Sequence, residues 1–110
     1  MNNASSSRNY IYIDYTPAED YFAVRARDDS LKNIGIYKGS VLVVRKQSDF
    51  ADGDVAVVAV DGEIYARRCQ RCGGAVFLMA ENNVFPPMPI LADMDFLVLG
   101  KVVEVRTLIE

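Results

Sequence analysis

No histidine occurs among the 110 residues, and that absence removes more chemistry than any single residue adds. Ser-His-Asp and Cys-His activation of a nucleophile are both excluded, as is every metal site that needs imidazole. A hydrolase built from this chain is left with a serine–lysine pair, two carboxylates or a lone thiol. Cysteine is nearly absent too. Cys69 and Cys72 are too few and too close to staple a fold, so a reducing cytoplasm is the default compartment. Positive charge is not in excess: 12 Lys and Arg stand against 15 Asp and Glu, for a net charge of −3. Phosphate contacts need a basic patch, so direct nucleic-acid binding is not expected. No apolar run approaches the ~20 residues of a membrane span, and no signal peptide opens the chain. No cofactor is expected.

What is present is a chain of one-domain length with 51% hydrophobic residues, enough for a modest core. Residues 1–9 are polar and read as a tail or linker remnant, leaving residues 10–110 as the domain. The apolar runs are short and rich in Val, Ile, Tyr and Phe. Tyr10–Ile13, Tyr21–Val24, Val41–Val44 and Val55–Val60 read as strands. Asp61-Gly62 follows at once, the dipeptide that type I′ hairpins favour because both central residues need positive φ. The return strand is Glu63–Cys69, and a second hairpin turns at Arg71–Gly74 into Ala75–Met79. Phe96–Arg106 reads as one long strand, bent at Gly100. Only Ser30–Ile34 looks helical. The sum is a mainly-β domain.

Within "RARDDSLKNIGI", Ser30 admits two readings. It caps a short helical turn, or its Oγ is a nucleophile at a strand-to-turn corner, with the Asp29 and Ser30 N–H groups as oxyanion donors. Spacing alone does not separate them.

The order of motifs adds a resemblance. Asp29-Ser30-Leu31, then Lys32-Asn33-Ile34-Gly35-Ile36 and Lys38-Gly39-Ser40-Val41-Leu42, resemble the nucleophile segment of the LexA/UmuD family of self-cleaving serine peptidases. That family includes regulators of the SOS response and shares its domain with lambda-type phage repressors. Asp52-Gly53-Asp54-Val55, Val60-Asp61-Gly62-Glu63, Glu81–Pro87 and Leu99-Gly100-Lys101-Val102-Val103 follow in the same order, so the resemblance runs from Tyr21 to Arg106. It implies a fold of several coiled antiparallel sheets with one short helical turn, and Ser30 as the nucleophile. It also implies a lysine base, neutral through burial, on the strand after the Asp-Gly hairpin. That position holds Arg67, and a guanidinium stays protonated at any ordinary pH. The family's usual glycine is replaced by Asp28, in reach of a salt bridge to Arg67, and its usual methionine by Leu31, a volume-conserving change.

The other lysines, Lys32, Lys38, Lys46 and Lys101, are the only substitutes for a base, and Lys32 and Lys38 read as solvated. Family members cut an Ala-Gly or Cys-Gly bond upstream of the serine; no such pair precedes Ser30, and Cys72-Gly73 lies beyond it. The resemblance therefore implies an impaired peptidase domain that works by binding, as a homodimer through the apolar run Phe96–Ile109, with a regulatory protein as a possible partner. The alternatives are an active Ser-Lys enzyme using another lysine, or a repressor fragment without its helix-turn-helix.

Cys69-Gln70-Arg71-Cys72 is a single CxxC, short of the four ligands zinc wants, and reads as two cysteines near a turn. Arg67, Arg68 and Arg71 form a small cluster that alternates faces on a strand and reads as a solvated edge with one inward residue, not a nucleic-acid patch. Asp28, Asp29, Asp93 and Asp95 read as turn residues.

Overall fold

Short β-rich runs separated by Gly-containing turns have few ways to bury themselves except by pairing with one another. In the computed structural model, which describes residues 10–11 and 20–106, eight strands do so in one antiparallel order. They are β1 (Tyr10–Ile11), β2 (Tyr21–Arg25), β3 (Val41–Lys46), β4 (Val55–Val60), β5 (Glu63–Cys72), β6 (Ala75–Met79), β7 (Met88–Ile90) and β8 (Phe96–Arg106). The spatial order is β1-β2-β3-β8-β4-β5-β6-β7, so β8 returns from the end of the chain to sit between β3 and β4. The mainly-β expectation holds, with the expected sheets hydrogen-bonded into one continuous ladder.

The turn chemistry accounts for the hairpins. Asp61 and Gly62 have φ of 49° and 84°, the left-handed pair that a type I′ turn demands. Gly73 and Gly74 do the same between β5 and β6. Two glycines close that turn by themselves, so β5 continues to Cys72, opposite Ala75, three residues past the expected end. The short strand β7 has no counterpart among the expected strands, because Pro89 cannot donate to a ladder; β7 has one described neighbour, β6, and such a strand tolerates proline.

Hydrophobic alternation along β4 divides the core. Val57 packs with Val24, Ala26, Leu31, Ile36, Leu42 and Val44, while Ala56, Val58 and Val60 face a second cluster around Phe50, Cys69, Leu78 and Val98. A one-residue slip of such a strand would exchange the two cores, which pins its register. β8 meets both neighbours through irregular registers, one between Val43 and Val44 and one between Val57 and Val58. Gly100 lies between them: a Cβ there would stand 2.4 Å from the Arg45 carbonyl oxygen.

The helical stretch expected at Ser30–Ile34 is a single 3-10 turn, Lys32–Ile34, stopped by Gly35 at φ 88°. The residues expected as tail (1–9), the second half of the run Tyr10–Ile13 and the end of the run to Ile109 lie outside the described residues. Among those described, no helix is long and apolar enough to cross a membrane.

Candidate functional site

Ser30 follows β2 at a corner and is only 2% exposed. Leu31, at 1%, is sunk in the first core and fixes the corner. The loop after β6 clamps it from the other side. Glu81 N–H donates to the Ser30 carbonyl (2.7 Å), Asn33 N–H to the Glu81 carbonyl (2.9 Å) and Asn82 Nδ2 to the Asp29 carbonyl (2.8 Å). The Asp29 carboxylate accepts the Lys38 N–H at 2.8 Å, and Glu81 is held by Arg68 at 2.7 Å. A corner with its carbonyls so engaged is held rigid.

The serine does not cap the 3-10 turn. The N-cap position is Leu31 and no side chain caps it. The hydroxyl instead meets Arg67 from β5, whose register opposite Ala56 places it in the interior. Arg67 Nη1 donates to Ser30 Oγ at 2.6 Å and to the Ala66 carbonyl at 3.0 Å; Nη2 reaches Asp28 Oδ2 at 3.4 Å. Arg67 is 6% exposed, and its guanidinium lies 5.3 Å from the Tyr65 ring centre and 5.7 Å from that of Phe85. Cation–π contact of this kind offsets part of the cost of burying the charge.

Asp28 completes the group. Its Oδ1 accepts the Ser30 backbone N–H at 2.9 Å. Burial pushes its carboxyl up, but hydrogen bonds from the Ser30 hydroxyl and N–H and the charge of Arg67 outweigh that, holding it below the usual 3.8. Ser30 Oγ thus receives a hydrogen bond from Arg67, and Asp28 holds both the Ser30 N–H and the Arg67 guanidinium. Of the two N–H groups expected as oxyanion donors, that of Ser30 is taken by Asp28, while that of Asp29 donates to no acceptor among the described residues.

A serine nucleophile needs an acceptor for its proton. Arg67 has none to offer, and Asp28, held ionised below its ordinary pKa, is a poor base. No lysine lines the pocket around Ser30, whose walls are Ala26, Arg27, Asp28, Leu31, Ile36, Ala66 and Arg67. Lys32, Lys38 and Lys46 are exposed, and Lys101 is 3.4 Å from Asp54.

The other sequence features resolve separately. Cys69 and Cys72 are three apart on one strand and so project from opposite faces. Cys69 is buried, its thiol pushed up to about 12 chiefly by burial, and Cys72 is exposed. Arg68 and Arg71 are not an open basic patch, since Arg68 pairs with Glu81 and Arg71 with Asp49 at 2.6 Å. Asp28, read both as a turn residue and as within reach of Arg67, is its partner. The parts that sequence reasoning missed are Tyr65 and Phe85 around the guanidinium and the Glu81-Asn82 clamp. Their only signal was the motif Glu81–Pro87, which identified a loop without saying what it touched.

The mainly-β chain brings Ser30 and Arg67 together at one buried corner, and comparison with known proteins gives its family. The chain belongs to the Peptidase S24-like family, whose model matches residues 2–103. It is similar to the LexA repressor of Aliivibrio salmonicida, 42% identical over 76 residues, which cover 69% of this chain and 36% of that protein. The LexA repressor of Shewanella frigidimarina is 38% identical over 84 residues (74% and 41%), and that of Vibrio cholerae serotype O1 is 40% identical over 76 (69% and 36%). The chain spans about two-fifths of the length of these relatives. The resemblance to a LexA/UmuD-type domain read from the motifs is therefore sound.

Proposed function

We propose that this LexA-type S24 domain is a silent peptidase that serves as a dimerisation and regulatory module. The observation that carries the reading is the 2.6 Å contact between Arg67 Nη1 and Ser30 Oγ. The residue at the resemblance's base position donates to the nucleophile instead of accepting from it. Dimerisation is supported by β8, which exposes Leu97 (57%), Val103 (42%) and Val105 (36%) and, among the described residues, pairs on its β3 side only from Val102 onward. A second reading is favoured by the names and extra length of the relatives: the domain brings together two copies of a repressor.

The test is self-cleavage at alkaline pH, followed by intact mass, in the chain carrying an added upstream Ala-Gly segment. The parent sequence gives no fragment. Arg67→Lys combined with Asp28→Gly gives one that disappears on Ser30→Ala. A fragment from the parent that vanishes on Ser30→Ala sinks the silent-peptidase reading. Sedimentation tests the dimer, and a monomer at high micromolar concentration counts against it.

A further inference from the structure

Along an antiparallel strand, successive residues turn their N–H and C=O groups toward one neighbour and then the other. Across the two-residue Asp61-Gly62 turn, Glu63, Tyr65 and Arg67 of β5 turn theirs toward β4, so Ile64, Ala66 and Arg68 turn theirs away. Arg68 meets β6 there, opposite Met79. β6 ends at Met79, and the chain then leaves the edge, so that Glu81 N–H goes to the Ser30 carbonyl. At Ala66 and Ile64 no described strand lies alongside. Their N–H groups meet no acceptor among the described residues, and each carbonyl is met by an arginine side chain. Arg67 Nη1 donates to the Ala66 carbonyl at 3.0 Å, and Arg27 Nη1 to the Ile64 carbonyl at 2.9 Å and to Glu63 Oε1 at 3.1 Å. The Arg27 guanidinium also lies 5.1 Å from the centre of the Tyr65 ring, which Arg67 meets at 5.3 Å.

An edge with outward N–H and C=O groups at every second residue invites an added strand unless something covers it. We infer that Arg27 is a displaceable strap that closes this edge, and that what it excludes is an extended peptide adding to β5 in line with β6. The inference deepens the silent-peptidase reading and rests on it, adding a closure beside Ser30 that does not depend on the missing base. Two small cavities, about 20 Å³ and about 10 Å³, share Ala26, Arg27 and Ala66 as walls. Neither admits a side chain while Arg27 stays, and removing its side chain would join them. Val24, Val57 and Ile64 also line the larger one, which suits an extended chain with small apolar side chains. The two arginines differ in what they block. Arg67 is buried, and the Ala66 carbonyl it holds has a second lone pair with which to accept again. The Arg27 side chain is 47% exposed and is held by a surface ion pair, a contact that costs little to break.

The test uses the peptide acetyl-Thr-Val-Ala-Val-Thr-amide as probe, titrated into the isotope-labelled full chain and into Arg27→Ala, with binding read at the Ile64 and Ala66 amide signals. Arg27→Ala binds the peptide at least about fivefold more tightly than the parent, the scale of one hydrogen bond. Bound peptide slows deuterium exchange at Ile64 and Ala66 and leaves Tyr65, already in the β4 ladder, unchanged. The fully N-methylated peptide, which has no N–H to donate, shows no gain. If Arg27→Ala does not fold, Arg27→Met replaces it, since it keeps the apolar stem and loses the donors. Equal affinity in parent and variant, or no binding in either, overturns the inference. A gain that the N-methylated peptide shares, or that leaves exchange at Ile64 and Ala66 unaltered, overturns strand addition and with it the role of the strap. The probe holds no Ala-Gly pair and the assay needs no catalysis. A fragment from the parent in the mass assay therefore sinks the silent-peptidase reading without touching the affinity ratio.

Discussion

Removing Asp28 tests how the buried charge is tolerated. Deleting one partner of a fully buried ion pair costs about 3–5 kcal/mol, because the other charge is left uncompensated. Here the carboxylate keeps 27% of its surface exposed and stands 3.4 Å from Nη2. Water shares in solvating what remains, and about 2 kcal/mol is the appropriate share for the pair. The Ser30 N–H, which loses its acceptor, adds about 1 kcal/mol. Asp28→Ala should therefore lower stability by about 3 kcal/mol, or Tm by roughly 12–24 °C at 4–8 °C per kcal/mol for a domain this small. Urea unfolding with unchanged m and a lowered midpoint is the measurement. Glu63→Ala is the control. Its bridge to Arg27 joins side chains 47% and 61% exposed, and its loss should cost under about 1 kcal/mol. The pH dependence has a fixed sign. The folded pKa of Asp28 lies below 3.8, so its contribution is complete above about pH 4 and is lost as pH falls through the folded value. The gap between parent and Asp28→Ala should close in that acid window. A variant within about 0.5 kcal/mol of the parent at pH 7, or a gap that widens in acid, would refute the account.

Thiol chemistry and packing give two further expectations. A thiol-specific reagent at pH 8 should modify one cysteine per folded chain, the exposed Cys72, because Cys69 is buried and its thiol is pushed up to about 12; both should react in urea. Two fast thiols in the folded protein would contradict the placement of Cys69. Gly100→Ala should cost at least about 2 kcal/mol in the same urea assay, since its Cβ would meet the Arg45 carbonyl oxygen at 2.4 Å and Val44 Cγ1 at 2.6 Å. An unaltered midpoint would mean that β8 crosses β3 less closely than described.

Most of the fold was legible because turns and alternation are local. Asp61-Gly62 dictates its hairpin through backbone conformation alone, and β4 announces itself as six apolar residues ending at that turn. β7 was illegible for the converse reason: Met88-Pro89-Ile90 has no strand signal of its own and pairs only because Val76–Leu78 lie alongside. The site was half legible. Ser30, Asp28 and Arg67 were each identified, the last two as departures from a resemblance. Their contact depends on a separation of 37 residues between Ser30 and Arg67 that only β5 and its register can close. The aromatic walls and the Asn82 clamp are products of tertiary packing, and no spacing in the chain encodes them.

Two of the three departures from the resemblance, Arg67 and Asp28, make physical sense together. A lysine at position 67 shifts its pKa when buried and becomes neutral, so it needs no counter-charge. An arginine there cannot shed its proton, and its charge must be met. A glycine at position 28 meets nothing; an aspartate does. In meeting it, Asp28 also takes the Ser30 N–H at 2.9 Å, the donor a tetrahedral oxyanion would need. On the proposed reading, charge compensation and closure of the oxyanion position are one event. Arg67→Lys alone should then leave Ser30 silent, because a lysine beside the Asp28 carboxylate is held protonated and the N–H remains occupied. Asp28→Gly alone frees the donor and leaves no base. Recovery of cleavage requires both changes, and their effects on rate should be strongly non-additive, as expected for groups that act as a unit.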